Sequence, residues 1–119
     1  MKVLIIEPMK APYTKEIEST LDSLREIVEG GIQTTYPFDD MVCIVCNDEA
    51  KNLGLDPNRA LYDEKGRIYD VIAGTFLIVG INEDDFCSLT KEQTRKYKDM
   101  FLRPEVFARL GDRILVLPA

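Results

Sequence analysis

Two hydrophobic periods run through this chain. Val3-Leu4-Ile5-Ile6 is a short continuous apolar run, which predicts a strand, and Pro8 with Met9-Lys10-Ala11-Pro12 predicts the turn after it. Ile17, Leu21, Leu24 and Val28 recur at spacings of four, three and four, the stripe of an amphipathic helix. Thr14 is the expected cap of that helix, Glu16 and Glu18 suit its first turn, and Gly30-Gly31 is the expected stop. Ile32, Thr34 and Tyr36 alternate with Gln33 and Thr35 as a second strand, and Pro37-Phe38-Asp39-Asp40 turns the chain.

Met41 to Cys46 is again continuously apolar, as in a strand buried on both faces. Residues 50–66 are rich in turn formers, including Asn52, Gly54, Asp56, Pro57 and Gly66. They predict a structured central loop, and a loop of that length is more often functional than ordinary. Ile68 to Ile72 is a weak strand. Gly74-Thr75-Phe76-Leu77-Ile78-Val79-Gly80 is the clearest strand, aromatic and β-branched between glycines. Thr90-x-x-Gln93 is a capping box and predicts a helix carrying Tyr97, Met100 and Phe101. Pro104 is expected to open a further helical turn with Val106, Phe107 and Leu110, stopped by Gly111. Ile114 to Leu117 closes the chain as a strand. The order β-α-β-β-loop-β-α-α-β predicts an α+β domain over residues 1–119, with a mixed sheet and two main helices.

Charge and composition narrow the chemistry. The chain has 119 residues, 15 Lys plus Arg, 21 Asp plus Glu and no His, for a net charge of −6. Without His there is no Ser-His-Asp or Cys-His catalytic machinery and no His-ligated zinc. The negative charge disfavours direct nucleic-acid binding, which rests on Lys and Arg neutralising phosphates. It suits instead a basic protein partner or mimicry of DNA charge. No apolar run reaches the length of a membrane span or of a signal peptide's core. With three cysteines, the expectation is a cytoplasmic protein with reduced thiols.

The candidate constellations are few. Cys43 and Cys46 have the C-x-x-C spacing, but inside a strand such residues point to opposite faces, so core packing is the simpler reading. Cys46-Asn47-Asp48-Glu49 and Gly80-Ile81-Asn82-Glu83-Asp84-Asp85 both place acids after a strong strand. Were those strands parallel, Asp48, Glu49, Asp84 and Asp85 would share one sheet edge and could hold Mg²⁺ or Ca²⁺. Capping and turn formation explain the same residues more simply, and no metal, cofactor or catalytic residue is assigned. Arg59 in the central loop is the best single candidate for anion recognition, because a guanidinium grips phosphate or carboxylate bidentately. Asn58, Asn47, Gly74 and Thr75 complete the candidate ligand-binding set. For Arg59 itself the favoured reading is structural, a tie from the loop to one of the many carboxylates.

A set of phrases in order carries a family resemblance: Val3-Leu4-Ile5-Ile6-Glu7-Pro8, Tyr36-Pro37-Phe38-Asp39-Asp40, Cys46-Asn47-Asp48-Glu49, Pro57-Asn58-Arg59-Ala60-Leu61, Tyr69 through Gly80, and Asp85-Phe86-Cys87-Ser88-Leu89. From near residue 2 to about residue 101 the chain resembles small proteins of bacteria, bacteriophages and conjugative elements, catalogued as domain of unknown function 3846. The resemblance brings no reaction, cofactor or site residues. It implies an accessory protein of mobile elements, with action against host defence among the roles it suggests. The leading expectation is therefore a non-enzymatic binding protein that meets a protein partner through its acidic surface and the 50–66 loop. Binding of a small nucleotide-like anion is the alternative, and a small carboxylate enzyme comes third.

Overall fold

Three short strands supply most of the core because they are apolar on both faces. The computed structural model describes residues 1–119. Strands β1 (Lys2–Ile6), β4 (Val42–Asn47) and β7 (Phe76–Ile81) lie side by side, flanked by β2 (Tyr13–Glu16) and β3 (Ile32–Thr35) in the order β2-β1-β7-β4-β3. Short β8 (Phe86–Cys87) adds to the end of β7. Alternate residues divide between two cores. Val3, Ile5, Cys43, Val45, Leu77 and Val79 face helix α1 (Leu21–Val28) with its Leu24 and Val28. Leu4, Ile6, Val42, Ile44, Cys46, Phe76 and Ile78 face the other way, towards Tyr97 and Phe101 of helix α2 (Lys91–Met100) and its C-cap. Leu61 and Ile72 also enter this second core, from a hairpin of β5 (Pro57–Tyr62) and β6 (Ile68–Ala73). A last hairpin, β9 (Glu105–Leu110) with β10 (Arg113–Pro118), follows α2.

The α+β class with two helices is thus what the chain adopts, and its strand pairings are antiparallel throughout. No helix is long and apolar enough to cross a membrane. Cys43 and Cys46 fall in opposite cores, as strand alternation requires, and burial pushes the Cys43 thiol up to about 11.

Four local expectations are corrected. Residues 13–16 form β2 along the edge of β1, so α1 starts later, with Ser23 N–H donating to the Thr20 hydroxyl at 3.2 Å; pairing with the apolar β1 outweighs local helix propensity. The left-handed C-cap of α1 is Glu29, not a glycine. Gly30 leaves room for the buried, hydrogen-bonded Asn47 amide, 2.7 Å from where a Cβ would lie, whereas a Cβ at Gly31 would meet the exposed Asp48 carboxylate at 2.8 Å. The 50–66 loop contains most of β5. Residues 105–110 form β9 rather than a helical turn, because a two-residue Gly-Asp link closes a hairpin with β10.

The capping box of α2 forms in full, with Gln93 N–H donating to the Thr90 hydroxyl and Thr90 N–H donating to the Gln93 side chain. From that helix the buried Tyr97 donates its hydroxyl to Asp40 Oδ2 at 2.8 Å, pinning the β3–β4 turn. Asp40 also accepts from Met41 N–H and the Gln93 amide. The Tyr97 bond leads the effects that hold the Asp40 carboxyl below its ordinary value, against a smaller upward push from burial. A carboxylate lowered in the folded state stabilises above its unfolded pKa, near about 4, and loses that contribution as pH falls through the folded value. Tyr97→Phe is expected to cost about 1.5 kcal/mol at neutral pH. In urea titrations the gap from wild type should stay constant above about pH 5 and narrow below it as Asp40 protonates. A gap independent of pH down to acid unfolding would remove Asp40 from this role.

Candidate functional site

The polar centre of the molecule lies where β5 meets the α2 side of the sheet. The register of β5 against β6 shifts between Pro57 and Arg59, leaving Asn58 as an extra residue. Such a bulge re-aims consecutive side chains, and here both Asn58 and Arg59 are buried, each 1% exposed. Asn58 Nδ2 donates to the carbonyl of Ile6 at 2.8 Å and to that of Gly74 at 2.9 Å. Gly74 has φ +76°, the left-handed conformation that favours glycine, and this turn presents its carbonyl to Asn58. The Asn58 Oδ1 accepts from Arg59 Nη1 at 2.8 Å.

Arg59 completes the staple. Its Nε and Nη2 donate to the Phe101 carbonyl at 3.2 and 2.9 Å, Nη2 also reaches the Lys10 carbonyl at 2.7 Å, and Nη1 takes the Asn58 carbonyl as well. The five N–H donors of a guanidinium are thereby matched by five contacts, all to neutral oxygens. Phe101 caps α2, so the cation sits at the negative end of the helix dipole and satisfies a carbonyl the helix leaves unpaired. Burial lowers the Arg59 pKa, and the nearby Glu105 carboxylate opposes that fall. Arg59 thus ties together β5, the β1–β2 turn and the end of α2. The expected carboxylate partner is replaced by carbonyls.

A cleft of about 610 Å³ opens beside this staple. Phe38, Leu61, Tyr69 and Met100 are among its apolar walls, and Val116 and Pro118 of β10 close one side. Behind the wall, Phe38 packs at a tilt on Tyr97 with ring centroids 4.8 Å apart, and Phe101 meets Phe76 edge-on at 5.7 Å, geometries that aromatic pairs favour. Glu105 is the main polar feature: Oε1 accepts the Ala60 N–H at 3.0 Å and Oε2 accepts the Tyr62 hydroxyl at 2.9 Å. These bonds clamp the start of β9 to the β5 edge by a side chain instead of a ladder. Burial, and then the Glu105 bond, push the Tyr62 phenol up to about 12.

The candidate residues read from the sequence therefore separate. Asn58, Arg59 and Gly74 come together, with half-buried Thr75 next along the chain. Asn47 stands elsewhere, its amide donating to the Val28 carbonyl at 3.0 Å beyond α1. It borders a second, smaller depression of about 280 Å³ with Asp48, Glu49 and Lys51. The supposed shared acidic edge does not form: Val42 pairs with Gly80 and Val45 with Leu77 in antiparallel register, which sends Asp48 and Asp84 to opposite ends of the sheet. Asn82 Oδ1 accepts the Asp84 and Asp85 N–H groups, an Asx turn of the expected kind. Phe38, Tyr62 and Tyr69 flank turns in the sequence, where aromatics are half-buried core or contact anchors, but nothing there points to Glu105 as their neighbour; Gly111-Asp112 between two apolar segments is a readable hairpin signal.

Fold and site together define a small α+β domain with a buried Asn–Arg staple beside an aromatic cleft. Residues 1–102 match the family described as a domain of unknown function, DUF3846, and the chain belongs to that family. No curated protein and no solved structure gives a significant match.

Proposed function

We propose that this chain is a non-enzymatic binding protein whose cleft receives an apolar, aromatic-compatible segment of a partner protein. The observation that carries this reading is the cleft itself: its walls are mostly aromatic and aliphatic, its buried cation Arg59 has its donors already used, and Asp99, Arg103 and Glu105 are its other charged groups. Buried aromatic pockets are the usual seats of binding anchors. The net charge of −6 favours a partner that is basic around that segment and steers its approach. We propose the role of an accessory protein of a phage or conjugative element, acting in the cytoplasm on a host protein.

The alternative, capture of a small nucleotide-like anion by Arg59 and its neighbours, has less support. An incoming phosphate would have to displace the carbonyls of Phe101 and Lys10 from the guanidinium. Affinity capture from a bacterial lysate tests the two together. Wild type should retain a protein partner, less of it as salt is raised, and Met100→Glu, which places a carboxylate on an exposed part of the cleft wall, should lose it. A thermal upshift with nucleotides that disappears in an Arg59 variant would favour the small ligand instead.

A further inference from the structure

We propose that the outer face of the β9–β10 hairpin is a dimer interface, covered by the same face of a second copy of this chain. Directly opposed residues of an antiparallel pair share one face. The register Val106↔Leu117, Ala108↔Leu115 and Leu110↔Arg113 therefore gathers Val106, Ala108, Leu110, Leu115 and Leu117 on one side. All five are exposed, Leu110 at 61% and Leu117 at 52%. The opposite side, with Glu105 and Val116, turns towards the cleft and is partly covered. A two-stranded hairpin with a bare apolar face is marginal by itself.

The amount of surface points the same way. A compact monomer of 13.6 kDa exposes about 6,600 Å². This chain exposes 7590 Å², an excess of about 1,000 Å² on that scaling. One partner in a standard interface covers about 800 Å². The shape is elongated, 43 × 29 × 23 Å, as an uncovered arm would make it. Charge selects a second copy as the occupant. Two chains each carrying −6 can pack closely only where neither presents an acid. This face presents none, its sole charge being Arg113 at one end. A charged partner would find nothing here to match, whereas an apolar face is self-complementary about a two-fold axis. Two such sheets stack at about 10 Å, with Ala108 and Leu115 at the centre of the contact.

Light scattering coupled to size exclusion tests the proposal. At about 100 µM, well above a micromolar dissociation constant, wild type should run at twice 13.6 kDa and fall towards the monomer on dilution. The double variant Leu115→Glu, Leu117→Glu should be monomeric at every concentration with an unchanged circular-dichroism spectrum. Ile114→Thr, on the opposite face, should still dimerise. As a second readout, Ala108→Cys should give a disulfide-linked dimer on mild oxidation with Cys43, Cys46 and Cys87 left unlinked. A monomeric wild type at that concentration overturns the proposal. So does a dimer that survives the double glutamate variant, or one that Ala108→Cys does not link.

Discussion

Arg59→Met is expected to cost about 4 kcal/mol, a large share of the roughly 5–15 kcal/mol that holds a domain of this kind folded. The methionine fills much of the same volume, so the loss comes from polarity. The buried Phe101 carbonyl and Asn58 Oδ1 would each lose a donor, as would the part-buried Lys10 carbonyl, and an orphaned buried acceptor costs about 1–3 kcal/mol. The end of α2 would also lose the cation at its negative pole. Urea unfolding followed by circular dichroism measures the change. Arg59→Lys should recover less than half, because one ammonium cannot span the four oxygens that the guanidinium fork reaches. A loss below about 1 kcal/mol for Arg59→Met, the level of an ordinary surface change, would mean that the guanidinium is not a structural staple and would return it to the list of ligand-binding groups.

Asn58→Ala should cost about 3 kcal/mol. The side chain is a donor to the end of β1 and to the β6–β7 turn at once, through Ile6 and Gly74, and an acceptor for Arg59. Asn58→Asp distinguishes these roles. It keeps the acceptor and adds a charge opposite Arg59, but it turns both donors into an oxygen facing two carbonyls. The aspartate variant should therefore be no more stable than the alanine one. The double variant with Arg59→Met should fall short of the sum of the two single losses by more than about 1 kcal/mol, since both act on one network. Simple additivity would show that the two residues hold separate parts of the fold.

The core was legible where apolarity was continuous or alternation strict. Val3–Ile6, Met41–Cys46 and Phe76–Val79 became the central strands, and the Thr90/Gln93 box started α2 where it should. The hidden part was polar. Pro57, Asn58 and Arg59 are poor strand formers, so β5 reads as loop. Only the bulge that buries both polar side chains, and the distant carbonyls of Ile6, Phe101 and Lys10 that satisfy them, make a strand possible there. Those partners are far away in sequence, and no local pattern announces them. Asn58 and Arg59 stand out in the sequence as a polar pair between turn formers, but their spacing says nothing about whether the guanidinium faces a ligand or the chain. The parallel arrangement imagined for the two acidic strand ends fell to a register that runs the other way.

In the function proposed above, the cleft beside the staple, and not the guanidinium within it, is the binding surface. The most direct test is the affinity of the captured partner for wild type and for Met100→Glu, measured by calorimetry on purified proteins. We predict at least a tenfold loss, about 1.4 kcal/mol, with the fold of the variant unchanged. Equal affinities for the two proteins would contradict the claim.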